Sequence, residues 1–183
     1  MFKGNEREIL DGCKQGNRIA QKQLFDLFSQ KFFVLCLRYS ANEDEAKDLL
    51  QEGFIKIFQN LGSYKEKGSF EGWMRKIMVN NALENIRRNS GFNFSSEPQD
   101  NAIDVAVMPD FSKLETKTIL SKIQQLAPGF RAILNLYIIE GYQHHEIAAM
   151  MGISEGTSKS QLSRARKILQ DKLLKEEAYY QNG

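Results

Sequence analysis

Residues 141–154 read GYQHHEIAAMMGIS, and their pattern of apolar, glycine and serine residues predicts how the second half of the chain folds. Its apolar spacing predicts a short helix over residues 144–151. Gly152 then stands where the chain needs a left-handed turn, and Ser154 can cap the helix that follows. A short helix, a glycine turn and a capped second helix together predict a helix-turn-helix.

The second helix of this motif, residues 155–173, is predicted to be basic on its outer side. Leu162, Ala165 and Leu169 would face the domain. Residues 159–167 contain four cations and no acid, which suits a helix lying in the major groove of duplex DNA. A solvated basic helix is the alternative. Since serine and arginine can reach base edges and lysine can reach phosphates, the candidate DNA contacts are Lys159, Ser160, Ser163, Arg164 and Lys167.

Two further helices are predicted before this motif, over residues 113–126 and 130–140. Pro128 can stand at the start of the second of them, and Gly141 ends it. Neighbouring residues on a helix point about 100° apart, so His144 and His145 are not expected to share a metal ion and are expected to lie on the surface. The sequence contains no P-loop, HExxH motif or nucleophile elbow, so no catalytic residue, metal or cofactor is predicted.

The most informative helix of the first half is predicted over residues 43–61, with Asn42 as its N-cap. One face is apolar and is predicted to be core: Ala46, Leu50, Gly53, Phe54, Ile57 and Leu61. The opposite face, called here the Ile55 face, is acidic and rich in amides apart from one apolar residue: Asp48, Gln51, Glu52, Ile55 and Gln59. It is either an ordinary solvated face or a docking surface for a basic partner helix, centred on Ile55.

The next helix is predicted over residues 70–89 after a polar loop, residues 63–69. Met78, Val79 and Ala82 fall on its apolar side. A continuous line on the other side, called here the Trp73 face, consists of Trp73, Lys76, Asn80, Glu84 and Arg87. Aromatic rings stack on unpaired bases and cations follow phosphates, so this face with Tyr64 of the loop suits single-stranded nucleic acid. The alternative is that Trp73 belongs to the core.

The composition indicates a folded chain. Its 183 residues carry 25 Lys and Arg against 23 Asp and Glu, a net charge of +2, and 42% are apolar. This balance argues against a uniformly basic coating protein and against an acidic disordered chain. No apolar run approaches the ~18 residues of a membrane span, and the polar N-terminus is unlike a secretory signal. Cys13 and Cys36 form no CxxC pair, so a reducing cytoplasm is expected.

The charge is sorted along the chain. Residues 1–88 carry a net charge of +3, residues 89–112 carry −4 and residues 113–183 carry +3. Residues 89–112 hold two of the three prolines and no helical period, which predicts a flexible acidic linker; an ordered surface loop is the alternative.

The sequence therefore predicts an all-α protein with two small helical domains, 1–88 and 113–183, of which the second contains the helix-turn-helix and ends in a short tail. Within the first, a helix over residues 19–39 is predicted to turn Leu27 inward.

Three segments resemble parts of bacterial sigma factors. Residues 45–58 are similar to the helix that binds core RNA polymerase, residues 70–82 to the promoter-melting helix, and residues 153–166 to the −35 recognition helix. With no other domain predicted, the chain resembles the extracytoplasmic-function (ECF) group over about residues 5–88 and 113–175. One departure is Gln143, which stands where a Ser or Thr usually caps the first helix of the motif, and a weaker cap is expected there.

The resemblance implies a non-enzymatic subunit that gives RNA polymerase its promoter specificity. Asp48, Gln51, Glu52 and Ile55 would dock on the clamp coiled coil of the largest polymerase subunit, and the flap of the polymerase is also an expected partner. Lys56 would join Tyr64, Trp73 and Asn80 around an unpaired −10 base, with Lys76 and Arg87 completing that DNA surface. Arg166 would join the −35 contacts. The linker would follow the RNA-exit path, and an anti-sigma factor is an expected partner, with no small-molecule substrate.

The competing interpretation is a helix-turn-helix transcriptional regulator that acts without replacing the sigma subunit. It explains residues 141–175 but neither the Ile55 face nor the Trp73 face. A purely structural or interaction protein is the third class, and it predicts no promoter-dependent transcription.

Overall fold

The computed structural model describes residues 6–90 and 116–181, with side chains over residues 7–88 and 117–174. The chain divides into two compact units, Met1–Asn85 and Ile86–Gly183. All regular elements of the described residues are helices, which confirms the predicted all-α class. Of the predicted linker, residues 91–112 lie outside the described residues, as do residues 113–115 of the helix predicted to follow it.

The described residues of the first unit form four helices and one short turn. They are α1 (Glu6–Lys14), α2 (Arg18–Tyr39), α3 (Glu43–Asn60), a 3₁₀ turn (Leu61–Ser63) and α4 (Phe70–Ser90), the last of which extends beyond the boundary at Asn85. Asparagine side chains begin two of these helices, because an amide oxygen can accept from the free N–H groups of a first turn. Asn42 accepts from the Glu45 N–H at 2.9 Å, as predicted, and Asn17 accepts from the Ile19 N–H at the same distance.

The core of the first unit lies between α2, α3 and α4. Phe54 of α3 contacts Phe25 and Phe32 of α2, with ring centroids 4.7 and 6.1 Å apart. The whole predicted core face of α3 is buried, which confirms its periodicity. The prediction for Leu27 is wrong: its side chain is 56% exposed. It projects about 100° away from Phe28, which occupies the buried side of α2.

The regular elements in the described part of the second unit are also helices. They are α5 (Thr116–Gln124), α6 (Pro128–Leu134), a π-helical turn (Asn135–Ile139), α7 (His144–Met151) and α8 (Glu155–Gln181). Pro128 opens α6 as predicted. The helix predicted over residues 130–140 is present, but its second half is π-helical: the Glu140 N–H donates to the Asn135 carbonyl at 2.9 Å in an i→i+5 bond. The helix α8 also continues beyond its predicted end at Leu173.

The helix-turn-helix has the predicted construction. Gly152 has φ +70° at the end of α7, and the N–H of the next residue, Ile153, donates to the Ala148 carbonyl at 3.1 Å. Ser154 begins α8, its hydroxyl accepting from the Thr157 N–H at 3.0 Å. Below the motif lies an apolar cluster of α5, α6 and α8: Ile123, Leu126, Leu134, Ala165, Leu169 and Leu173. The second helix of the motif is therefore anchored to this core, which fixes the outer side of α8.

Gln143, which stands where a Ser or Thr usually caps the first helix of the motif, weakens this cap less than its residue type suggests. The Gln143 N–H donates to the Glu146 carboxylate at 2.8 Å, which is the glutamate half of a capping box. This bond uses only the backbone of residue 143 and so does not require Ser or Thr there.

Candidate partner and nucleic-acid interfaces

The Ile55 face lies on the outer side of α3. Ile55 is 55% exposed, while the adjacent Phe54 and the nearby Ile57 are buried. Asp48, Gln51 and Gln59 are also exposed, and Glu52 is half-buried. Carboxylate and amide groups thus surround one exposed apolar side chain. This arrangement fits a partner surface with basic groups around an apolar contact.

Two contacts hold α3 tightly against α4. Gly53 allows the close approach, since a Cβ built at this position would lie 2.2 Å from the sulfur of Met78. Asn81 is buried on α4, and its amide Nδ2 donates to the Leu49 carbonyl of α3 at 3.1 Å. The role of Asn81 could not be predicted from the sequence, because periodicity does not tell which carbonyl a buried amide meets. The two helices are therefore joined directly, which fixes the Ile55 face relative to the Trp73 face.

The Trp73 face is an exposed line along α4. Lys76, Asn80, Glu84 and Arg87 are exposed, and Trp73 is half-buried. The Trp73 indole stacks on Phe70, with ring centroids 5.6 Å apart and planes inclined by 14°. A tryptophan supported from one side can stack a base on its accessible portion with little loss of conformational freedom.

Tyr64 lies beneath this face and not on it. Its side chain is 6% exposed, its hydroxyl donates to the Gly68 carbonyl at 2.9 Å, and its ring lies 5.4 Å from Trp73 between centroids. Burial raises the pKa of Tyr64, and the Glu66 carboxylate adds to the rise, so the phenol remains a neutral donor. The prediction that Tyr64 contacts the −10 base does not agree with this position. Tyr64 instead supports Trp73 and closes the loop.

Lys56 is brought to the edge of the Trp73 face by the packing of α3 on α4. Its ammonium Nζ lies 2.5 Å from Glu84 Oε2. The one acid of the Trp73 face is thus paired with a cation from the neighbouring helix. A DNA phosphate that approaches Lys56 must compete with this carboxylate.

The outer side of α8 carries the residues predicted for duplex DNA. Lys159 and Lys167 are exposed, and Ser160, Ser163 and Arg164 are half-buried. Lys159 pairs with Glu155 at 2.7 Å, and this partner lowers the pKa of the Glu155 carboxyl. Leu162, Ala165 and Leu169 are buried as predicted. The basic residues therefore lie on a surface that the domain core does not cover.

Arg166 contacts a ring of its own domain, and His144 is less exposed than the sequence predicts. The Arg166 guanidinium carbon is 5.6 Å from the ring centroid of Tyr137, so this cation covers an aromatic ring of its own domain. His144 was expected on the surface, but it is half-buried and stacks on Tyr137 with centroids 4.5 Å apart. Its Nδ1 is 2.9 Å from the hydroxyl of Ser158, which is fully buried. Both contacts form because Tyr137, from the π-helical turn, reaches the helix-turn-helix.

The environment of His144 predicts that acid destabilises the second unit. Burial lowers the pKa of His144 from its usual 6.5; the cations Lys159 and Arg166 lower it further, and Glu155 opposes them. The unfolded chain therefore binds this proton more readily than the folded one, so stability falls as the pH drops below 6.5. Amide hydrogen exchange of α7 between pH 7.5 and 5.5 should become faster relative to its intrinsic rate. His144→Gln should flatten this pH dependence, whereas His145→Gln, at an exposed neighbour, should retain it; equal profiles for both variants would contradict the assignment.

The two cysteines of the chain are not reactive. Cys13 and Cys36 are buried, and burial raises their pKa values to about 11 and about 12, so both thiols stay protonated. Within the described side chains, no group of three or more His, Cys, Asp or Glu could hold a metal ion. None of the described helices is both long enough and apolar enough to cross a membrane.

Comparison with known proteins identifies both halves of the chain. The family model for sigma-70 region 2 matches residues 24–92, and the model for sigma-70 region 4 matches residues 116–169. The ECF RNA polymerase sigma factor SigE of Mycolicibacterium smegmatis is 33% identical over 152 residues, 80% of this chain and 59% of that protein. The RNA polymerase sigma-H factor of Pseudomonas aeruginosa is 28% identical over 181 residues, 92% of this chain and 93% of that protein.

Solved structures show the same fold. CnrH, in complex with the cytosolic domain of CnrY, has a TM-score of 0.50 at 21% identity, covering 93% of this chain and 97% of that one. The sigma factor RpoE of Bartonella quintana, in complex with the anti-sigma factor NepR, has a TM-score of 0.51 at 22% identity, covering 83% and 95%.

Two helical units, of which the second presents a helix-turn-helix, together with matches to regions 2 and 4, define a sigma factor. The chain belongs to the ECF group of bacterial sigma factors, a family of non-enzymatic proteins that direct RNA polymerase to promoters.

Proposed function

We propose that the chain binds core RNA polymerase through the Ile55 face and thereby initiates transcription at promoters with −10 and −35 elements. The observation that carries this proposal is the 55% exposure of Ile55 within an acidic and amide-rich surface. The competing interpretation, a regulator that does not replace the sigma subunit, does not explain this surface. We assign the docking contacts to Asp48, Gln51, Glu52 and Ile55, and their partner to the clamp coiled coil of the largest subunit.

The two DNA surfaces have separate roles in this proposal. The melted −10 strand binds along α4, with base stacking on Trp73, polar contact at Asn80, and phosphate contacts at Lys56, Lys76 and Arg87. The −35 duplex lies against α8, and its contacts are Lys159, Ser160, Ser163, Arg164 and Lys167. The two surfaces act together because core polymerase holds both domains, which raises the effective concentration of each at its DNA element.

The two domains and the linker have different roles in this function. Residues 1–88 form the core-binding and −10 domain, residues 113–183 form the −35 domain that also meets the flap, and residues 89–112 link them. The protein acts in the cytoplasm, where core polymerase is, and contributes binding without catalysis. An anti-sigma factor is a proposed regulator, supported by the similar fold of a sigma factor solved with one.

Run-off transcription with purified core polymerase on a randomised promoter pool tests the proposal. We expect promoter-dependent transcripts that share a −10 and a −35 element, and capture of core polymerase by the tagged protein. Tight binding to duplex DNA without any binding to core polymerase would instead establish the helix-turn-helix regulator.

Arg164→Ala should reduce −35 selectivity by about 1–3 kcal/mol if Arg164 contacts a base edge. The ratio of holoenzyme affinities for the selected −35 element and for single-base variants measures this effect. Lys159→Ala is the matched control, since loss of a phosphate contact should weaken binding to all sequences by a similar factor. A uniform loss for Arg164→Ala would show that this side chain contacts the backbone.

A further inference from the structure

Three side chains from three elements meet at the inner edge of the recognition helix. They are Tyr137 of the π-helical turn, His144 of α7 and Arg166 of α8. We infer that Arg166 is a positioning residue: its guanidinium on the Tyr137 ring sets how α8 is presented to the −35 duplex, and it does not contact DNA. This inference rests on the proposed function of α8 and reassigns one residue that the family resemblance gave to DNA.

The position of the Arg166 side chain is the first observation that supports a positioning role. A distance of 5.6 Å between the guanidinium carbon and the ring centroid lies within the ~6 Å range of cation–π contacts. The planar guanidinium can also stack on the ring, which an ammonium cannot do. Its Nε is buried without a hydrogen bond in the described structure. Part of the cation is therefore turned away from any phosphate, unlike the exposed ammonium of the next residue, Lys167.

The π-helical turn fixes the ring that Arg166 covers. Because an i→i+5 bond takes one more residue than an α-helical bond, it changes the direction of the side chains in the turn. The turn is held from inside by Asn135, which is fully buried and whose amide donates to the Arg131 carbonyl at 2.8 Å. Tyr137 is thus a pre-positioned platform and not a surface ring that moves to meet the arginine.

His144 links the same platform to the first helix of the motif. Its ring stacks on Tyr137, and its Nδ1 shares a hydrogen bond with Ser158 on the buried side of α8. The angle between α7 and α8 is thus held by a direct contact, His144 to Ser158, and by an indirect one through Tyr137 to Arg166. A change at either end of this chain of contacts should alter the position of the base-reading residues on α8.

The test uses the full-length protein assembled with core polymerase on a promoter carrying the selected −35 element. Arg166→Met and Tyr137→Leu should each reduce −35 selectivity by about tenfold, the size of a cation–π contact worth 1.4 kcal/mol. The double variant should be no worse than either single variant, and Tyr137→Phe should retain selectivity because it keeps the ring. The slope of log affinity against log salt should stay unchanged in Arg166→Met but fall by about 0.9 in Lys167→Met, which removes a proposed phosphate contact.

Two results would overturn the inference. One is a loss of salt slope in Arg166→Met equal to that in Lys167→Met, which would make Arg166 a phosphate contact. The other is additivity of Arg166→Met and Tyr137→Leu, which would mean that the two side chains act independently.

A measurement without DNA separates this inference from the proposed function. By NMR titration of the free protein, Arg166→Met should raise the pKa of His144, since a neighbouring cation is removed, and Lys167→Met should not. An unchanged pKa in Arg166→Met would contradict the contact even if α8 binds DNA. Conversely, if neither Arg164→Ala nor Lys167→Met alters promoter binding, the DNA-binding role of α8 is wrong, whatever the pKa result.

Discussion

Ile55→Asp should abolish binding to core RNA polymerase while the protein remains folded. The side chain is 55% exposed, so the carboxylate stays in water in the free protein and the fold loses little. In the complex, the same carboxylate would occupy the apolar centre of the interface, where loss of a central contact and burial of a charge both oppose binding. We expect an affinity loss of at least about 100-fold, or roughly 3 kcal/mol, measured by fluorescence anisotropy with labelled protein.

Leu27→Asp is the matched control for this experiment. Leu27 is 56% exposed on α2 and lies outside the Ile55 face, so the substitution introduces the same charge at an equally exposed apolar position of the same unit. It should leave core binding near that of the unsubstituted protein. Equal affinities for both variants and the unsubstituted protein would refute the docking face and return the competing regulator to consideration.

The faces of the helices were predictable because burial follows helical geometry. The assignment of Ile55 to the outside and Ile57 to the inside of α3 needs only the 100° rotation per residue. The helix-turn-helix was predictable for a similar reason. A positive φ at Gly152 and a capping hydroxyl at Ser154 are local requirements, and a single sequence displays them.

Side chains that act across elements were not predictable in this way. Tyr64 lies in a non-periodic loop, so its sequence position did not show that its ring faces Phe70 and Trp73. Arg131 is a buried cation on α6 whose Nη1 donates to the Gln124 carbonyl at 3.2 Å, near the end of α5. Such contacts depend on which two segments are adjacent in space, and the spacing within either segment does not contain that information.

The π-helical turn is a feature of the backbone that also could not be predicted from the sequence. Residues 135–139 continue an apolar helical pattern, and five residues are too few to separate a π-turn from an α-turn by period. The helix and its end at Gly141 could therefore be predicted, but the position of Tyr137 could not. That position decides the surroundings of both His144 and Arg166, so their contacts with the ring could not be predicted from the sequence.

Gly53→Leu should destabilise the first unit by about 3 kcal/mol, the upper part of the range for inserting atoms into a packed core. A new Cβ alone would lie 2.2 Å from the sulfur of Met78, whose side chain is fully buried, so a leucine requires this side chain to move within a packed core. The gain in helix propensity on replacing glycine, at most about 1 kcal/mol, is smaller than this cost. Urea unfolding followed by the fluorescence of Trp73, the only tryptophan of the chain, reports on this unit.

Two further variants show whether the close packing of α3 on α4 is the cause. Gly62→Leu places the same side chain at a glycine whose Cβ position is open, so the urea midpoint should change little. Combining Gly53→Leu with Met78→Ala makes room for the new side chain, so the double variant should recover most of the lost stability even though Met78→Ala alone removes a buried side chain. Additive losses in the double variant would show that residue 53 does not meet Met78. Because α3 also carries the Ile55 face, Gly53→Leu should weaken core binding only in proportion to the unfolded fraction, whereas Ile55→Asp abolishes it in a folded protein.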